Sequence, residues 1–124
     1  MEQASILVVD DQEMVLNFLK VFVERLGFET ITAVDGQEAW DHFQQSPPQL
    51  VITDLRMPGM NGIELAKKIR GLSIMPPIIV LTGSFADAIC SDFDELRNVH
   101  IAQKPINTRD FAALIRELTG VACV

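Results

Sequence analysis

The stretch ILVVDD, residues 6–11, is a short aliphatic run followed at once by two adjacent carboxylates, Asp10 and Asp11. An unbroken aliphatic run of this kind is typical of a strand buried on both faces, as the strands of a parallel sheet are. Core packing gives no reason to place two like charges side by side where that strand ends. The pair therefore marks the end of the first strand as a candidate functional site.

Short apolar runs alternate with amphipathic stretches along the rest of the chain. The runs predict five strands, over residues 6–9, 29–34, 50–53, 78–81 and 99–102. Helical spacing predicts five apolar helix faces: Met14, Val15, Phe18, Leu19, Phe22, Val23 and Leu26 in the first, Ala39, Trp40 and Phe43 in the second, Ile63, Ala66 and Ile69 in the third, Ile89, Phe93 and Leu96 in a weakly patterned fourth, and Phe111, Leu114, Ile115 and Leu118 in the last. This alternation predicts an α/β fold, a parallel sheet with helices on both faces.

Turn and cap residues divide these segments. Gly27 follows the first helical pattern, and Pro47 follows the second. The second helical pattern follows Asp35-Gly36 and the third follows Asn61-Gly62, whereas Asn107 is suited to cap the last one.

Composition limits the classes of protein that the chain can represent. Its 124 residues, 48% of them hydrophobic, fit one domain with one real core. A net charge of −7 argues against nucleic-acid binding, because phosphates would be repelled. No apolar run approaches a membrane span, and no basic segment precedes the first strand as in a signal peptide. Cys90 and Cys123 have no partner spacing, so we expect a reduced, cytoplasmic protein.

Polar or charged residues also end three of the other predicted strands. Asp54 ends the third predicted strand, Thr82 ends the fourth, and Lys104 ends the fifth. In parallel sheets ligands bind beyond the carboxyl ends of the strands, so these groups should face one crevice together with Asp10 and Asp11. Each residue alone could be an ordinary cap, turn or surface residue. Their occurrence at the same end of several strands favours a site.

A cluster of carboxylates is stabilised by a bound cation, because its like charges repel each other. Two carboxylates ~4 Å apart repel each other by about 4 kcal/mol at an effective dielectric near 20. Mg²⁺ suits oxygen ligands, whereas the absence of His and Cys from these stretches disfavours zinc. With Mg²⁺ beside it, Asp54 can act as a nucleophile towards a phosphoryl group, while Lys104, Thr82 and the Gly83 N–H stabilise the phosphoryl oxygens.

Four motifs stand in an order and spacing that identify a family. They are VVDDQ at residues 8–12, DLRMPGMNG at 54–62, VLTG at 80–83 and KP at 104–105. As a set they closely resemble the receiver domains of two-component response regulators, such as the chemotaxis regulators. The resemblance covers essentially the whole chain, so we expect a single receiver domain over residues 1–124.

The resemblance implies a flavodoxin-like doubly wound sheet in the order 2-1-3-4-5 and a role for each site residue. These roles are phosphoacceptor for Asp54, direct Mg²⁺ ligand for Asp11, Mg²⁺ ligand through water for Asp10, backbone-carbonyl Mg²⁺ ligand for Arg56, switch hydroxyl for Thr82 and phosphoryl-binding ammonium for Lys104. It also implies a cis bond between Lys104 and Pro105.

The implied function is phosphorylation of Asp54 by a histidine kinase or a phosphotransfer protein. The signal would then pass to a protein partner through a face made of the fourth helix, fifth strand and fifth helix. The domain would not be an enzyme beyond accepting phosphate from small donors and losing it again. Met1 and the end after the last helix fit a single-domain regulator; the alternative is the receiver part of a larger regulator or hybrid kinase.

Three other readings compete with this one. A flavodoxin-like nucleotide binder would need a Ser/Thr/Gly-rich loop after the first strand, where this chain is acidic. An aspartyl phosphatase would carry an acid–base Asp two residues after the nucleophile, where this chain has Arg56. A purely structural pseudo-receiver would not need the full set of site residues.

The chain departs from the family pattern in its signalling region. Ile101 stands where the family usually has an aromatic residue, and Arg97-Asn98 stands where it tends to have Gly-Ala. Ile101 is β-branched and stiff, and cannot turn inward as an aromatic ring does. We therefore expect the signal to leave through the loop after the fourth strand and the helix predicted over residues 86–96.

Overall fold

The computed structural model describes residues 5–71, 76–83 and 98–120. Its five strands are β1 (Ser5–Val9), β2 (Glu29–Ala33), β3 (Leu50–Asp54), β4 (Ile78–Thr82) and β5 (Val99–Gln103). They form one parallel sheet in the order β2-β1-β3-β4-β5. The predicted parallel sheet and its 2-1-3-4-5 order are confirmed, and every strand boundary lies within one residue of its prediction.

Within the described residues, four helices connect or follow the strands: α1 (Glu13–Arg25), α2 (Gly36–Gln45), α3 (Gly62–Arg70) and α4 (Thr108–Thr119). The predicted cap of the last helix is present, because the Asn107 side chain accepts the Asp110 N–H. The side chains of Asp35 and Asn61 cap α2 and α3 in the same way. The helix predicted over residues 86–96, and both cysteines, lie outside the described residues. No described helix is long and apolar enough to span a bilayer.

The sheet separates two hydrophobic clusters, because side chains alternate between its faces. One cluster holds Leu7 and Val9 of β1 with Phe43 of α2 and the buried face of α3. The other holds the alternate β1 residues with the buried faces of α1 and α4. Helices therefore cover both faces of the sheet, as predicted.

One predicted helix face differs from the structure. In α1 the buried residues are Leu16, Leu19 and Val23. Met14 is 86% exposed and Phe18 is 48% exposed, so the predicted apolar face is buried only in part. The apolar stripe of α1 is wider than the arc that the sheet covers, and Phe18 instead stacks on Phe22 at the surface, with ring centroids 6.0 Å apart.

One side chain, that of Arg70, contacts the backbone just before β4 and just before β5. The guanidinium of Arg70, at the end of α3, donates to the carbonyl oxygens of Pro76 (2.8 Å) and Asn98 (3.2 Å). Asn98 has a φ of 60°, a left-handed conformation that asparagine adopts more readily than most residues. This contact lies at the opposite end of the strands from the predicted site.

Candidate functional site

Three carboxylates meet at the carboxyl ends of β1 and β3. The two strands are direct neighbours, so Asp10, which follows β1, lies beside Asp54, which ends β3. One carboxylate oxygen from each of Asp10, Asp11 and Asp54 lies within 4.8 Å of the others. Asp10 is fully buried, Asp54 is 9% exposed, and Asp11 is exposed, so the cluster runs from the core to the surface.

Asp10 has an incomplete set of partners. Its Oδ1 accepts a hydrogen bond from the Gln12 N–H at 2.9 Å, whereas its buried Oδ2 has no hydrogen-bond partner among the described residues. Burial raises the pKa of the Asp10 carboxyl; the Gln12 bond opposes this effect, and the charge of Asp54 adds to it. A buried acceptor without a partner destabilises a fold, so this oxygen is suited to face a cation or its water.

Asp54 is held by two donors. Its Oδ1 lies 2.9 Å from the Lys104 Nζ and accepts the Leu55 N–H at 3.1 Å. Lys104 reaches this place because it directly follows β5, where its backbone N–H donates to the Thr82 carbonyl at 2.8 Å. The Lys104–Pro105 bond is cis, as the resemblance implies. Thr82 itself is 3% exposed at the end of β4, on the strand next to Asp54.

Arg56 lies on the loop of residues 55–61, which joins β3 to α3 and which we call the β3–α3 loop. An open cleft of about 560 Å³ is lined by residues of this loop together with Asp11 and Ile63. Arg56 and Asp11 line the same cleft, and the Arg56 side chain is exposed. Arg56 therefore shares a cleft with Asp11, the exposed member of the carboxylate cluster.

The donor set of this cluster fits magnesium. All of its ligand atoms are oxygens, and among the described residues no histidine or cysteine takes part. Hard divalent cations prefer such ligands, and Mg²⁺ commonly takes a few carboxylates while keeping several waters. The partnerless Asp10 Oδ2 is the observation that a cation would explain.

One residue of this site was missed in the sequence. Gly62 begins α3 so close to β3 that a methyl group on it would lie 2.5 Å from the Asp54 carbonyl oxygen and 3.2 Å from the Leu55 Cα. The Gly62 N–H also donates to the Leu55 carbonyl at 3.0 Å. The available signal was a glycine directly after a good cap, where alanine would make a better helix.

Comparison with known proteins gives a consistent result. The model of the response regulator receiver domain family matches residues 6–116. The transcriptional regulatory protein PhoP for alkaline phosphatase synthesis, from Bacillus subtilis, is 35% identical over 87% of this chain, which spans 43% of that protein. The receiver protein CpdR from Brucella abortus is 31% identical over 91% of this chain and 94% of its own length.

Solved structures agree with the sequence relatives. The chemotaxis protein CheY4 of Vibrio cholerae superposes with a TM-score of 0.85 at 26% identity, over 94% of this chain and 99% of that one. The chain spans less than half of PhoP, so the likeness to that protein concerns one domain of it. The sheet order, the carboxylates at the strand ends and the family match lead to one conclusion: this chain belongs to the response regulator receiver domain family of two-component signalling systems.

Proposed function

We propose that Asp54 is the phosphoacceptor of this receiver and takes its phosphoryl group from a histidine kinase or a phosphotransfer protein. The observation that carries the proposal is the position of its carboxylate, 2.9 Å from the Lys104 ammonium and beside Asp10 and Asp11. In the transfer, the P–N bond of a protonated phosphohistidine breaks and a P–O bond to Asp54 forms. The donor imidazole leaves as a neutral ring.

The neighbours of Asp54 have separate roles in this proposal. Asp10, Asp11, Asp54 and the Arg56 carbonyl would hold Mg²⁺, which supplies positive charge for the phosphoryl oxygens when bound. The Lys104 ammonium supplies a second positive charge. Thr82 and the Gly83 N–H, at the end of the neighbouring strand, would donate hydrogen bonds to the phosphoryl oxygens.

The domain is of the signalling type, and we propose no catalytic activity beyond uptake from small phosphodonors and loss of the phosphate. Arg56 stands two residues after Asp54, where an acid–base carboxylate would be needed for a phosphatase. The family match over residues 6–116 supports one receiver domain over residues 1–124. We also propose a cytoplasmic location, as expected from the lack of partner spacing between the two cysteines.

Transfer from a phosphorylated partner tests the proposal directly. Radiolabelled histidine kinases and phosphotransfer proteins of the source organism are mixed with this chain and Mg²⁺, and the label is followed with time. We expect at least one donor to pass its label to this chain within minutes, in a linkage that alkali or hydroxylamine cleaves, as an acyl phosphate requires. Chelation of Mg²⁺ is the control. Label that never leaves any donor, together with no uptake from acetyl phosphate, contradicts the proposal.

We further propose that the downstream partner binds a face that includes β5 and α4. The helix predicted over residues 86–96 would complete this face, but it lies outside the described residues. Ile101, in the middle of β5, is partly buried and packs against the cluster on the α2 and α3 side of the sheet. Its stiff side chain has no hydroxyl to present and no ring to turn inward.

Hydrogen exchange with and without beryllofluoride tests how the signal leaves the site. We expect changed protection at Thr82, Gly83 and residues 84–96, with little change at Ile101, because the differential contacts with the phosphoryl mimic are made by Thr82 and Gly83. The same comparison in the Ile101→Ala variant is the control, and it should give the same pattern. A response centred on Ile101 and β5, with no change over residues 83–96, would refute this route.

A further inference from the structure

Gly36, the first residue of α2, lies directly against the β3–α3 loop. A methyl group on Gly36 would stand 2.7 Å from both the Cβ and the carbonyl oxygen of Met60, and 2.9 Å from its Cγ. Non-bonded carbon atoms in proteins rest about 3.5–4.0 Å apart. Only a hydrogen atom fits between α2 and Met60 at this point.

The first turn of α2 has little freedom to move away from Met60. The Asp35 side chain accepts the Glu38 N–H at 2.8 Å, and the Asp35 carbonyl accepts the Ala39 N–H at 3.1 Å. Ala39 and Phe43 are fully buried in the hydrophobic cluster on the α2 and α3 side of the sheet. Any larger residue at position 36 would therefore displace Met60 rather than the helix.

The other side of the β3–α3 loop is equally confined. Gly62 packs against the backbone of Asp54, and the bond from its N–H to the Leu55 carbonyl, 3.0 Å long, closes the loop at its base. Met57 is buried, and Met60 packs against the same cluster. Met60 is partly buried between Gly36 and this cluster, so we expect a displaced Met60 to carry the neighbouring loop backbone with it.

We infer that Gly36 is a positioning residue for the metal and phosphoryl site, although it contacts neither. It acts through Met60 on the β3–α3 loop, and so on the backbone carbonyl of Arg56, which lies in the same short loop. The inference rests on the proposed function, because the Arg56 carbonyl matters only if the site holds Mg²⁺. Mg²⁺ tolerates little departure from octahedral geometry, so a small movement of one ligand should weaken its binding.

The Gly36→Ala variant tests this inference. We expect its affinity for Mg²⁺, measured from the NMR shifts of the Asp11 and Asp54 amides, to fall about tenfold, because changes to residues that orient metal ligands lower affinity by about 10- to 100-fold. In the metal-free protein the Met60 methyl and Leu55 amide signals should shift too. Phosphate uptake from acetyl phosphate should be slow at low Mg²⁺ and recover towards the wild-type rate when Mg²⁺ is saturating.

Two further variants make the test decisive. Gly71→Ala adds a methyl at the far end of α3, where φ is −74° and the nearest atom is the Lys68 carbonyl oxygen at 3.3 Å, and it should leave the Mg²⁺ affinity unchanged. Met60→Ala keeps the Cβ and the carbonyl oxygen that face Gly36 but removes the Cγ and the rest of the side chain that packs against the cluster. The β3–α3 loop is then held less tightly, so this variant should weaken Mg²⁺ binding even if Gly36→Ala does not fold.

The outcomes separate this inference from the proposed function. A wild-type protein that binds no Mg²⁺ and takes up no phosphate refutes the proposed function. A wild-type protein that does both, with Met60→Ala and any folded Gly36→Ala protein binding Mg²⁺ as tightly as wild type, refutes the role of Gly36 alone. A fall in affinity that Gly71→Ala shares equally would also refute it, because the effect would then be general.

Discussion

The Asp54→Asn variant should take up no phosphate from acetyl phosphate and Mg²⁺, under conditions in which the wild-type protein gains the mass of one phosphate. The amide has no negative oxygen with which to attack phosphorus, and no other carboxylate of the cluster is held by the Lys104 ammonium, which lies 2.9 Å from Asp54. Intact-protein mass spectrometry measures the result. The fold should survive, because an amide oxygen can still accept the Leu55 N–H, and a part-exposed ion pair contributes only about 1 kcal/mol or less.

Asp41→Asn is the matched control for this experiment. Asp41 is an exposed aspartate in α2 whose partner is the side chain of Gln37. This variant should be phosphorylated as the wild type is. Phosphate found on Thr82 or Ser84 of the native protein, or persisting uptake by Asp54→Asn, would overturn the assignment of the phosphoacceptor.

The Asp10→Asn variant should bind Mg²⁺ more weakly and yet be more stable without it. Loss of a carboxylate that orients the metal or its waters lowers affinity by about 10- to 100-fold. In the metal-free protein, however, Asp10 is a buried charge whose Oδ2 lacks a partner among the described residues. Its removal should raise the free energy of unfolding at neutral pH by roughly 1–3 kcal/mol.

The pH dependence of this gain follows from the raised pKa of Asp10. A carboxyl whose pKa is higher in the folded state binds its proton more tightly there than in the unfolded chain, so ionised Asp10 destabilises the fold. The penalty is complete above the folded pKa and disappears as pH falls towards the ordinary value of 3.8. Urea unfolding in chelator, from neutral to acid pH, should show the two proteins converging. A wild type that is the more stable at neutral pH without Mg²⁺ contradicts the prediction.

Much of the fold was predictable because its strands end abruptly in sequence. The aliphatic run of β3 stops at Asp54, and that of β4 stops at Thr82-Gly83, so the boundaries are visible without a structure. The helix face of α1 was harder. An apolar stripe shows which side of a helix can be buried, but the width of the arc that the sheet covers depends on tertiary packing. Met14 and Phe18 lie outside that arc.

Some features of the site could be predicted from the sequence and others could not. The residues that converge at one end of the sheet could be predicted because parallel strands place their carboxyl ends together. The contacts of Gly36 with Met60 and of Gly62 with Asp54 could not, because both glycines occur where a turn residue would be expected anyway. Nor does one sequence show that Asp10 Oδ2 is buried without a partner, since this depends on where every neighbouring atom lies.

The sheet order also sets when during synthesis this switch can first work. Asp10 and Asp54 lie at the ends of neighbouring interior strands, but the Lys104 ammonium arrives only after the fifth strand, at one edge of the sheet. A ribosome adds roughly 5–20 residues each second, so the nascent chain carries the carboxylate proposed as acceptor for several seconds before its lysine exists. A polypeptide released early, without β5, would hold the acidic groups but could not complete the phosphoryl site. Under the proposed function, such a chain would lack the second positive charge that stabilises the phosphoryl oxygens.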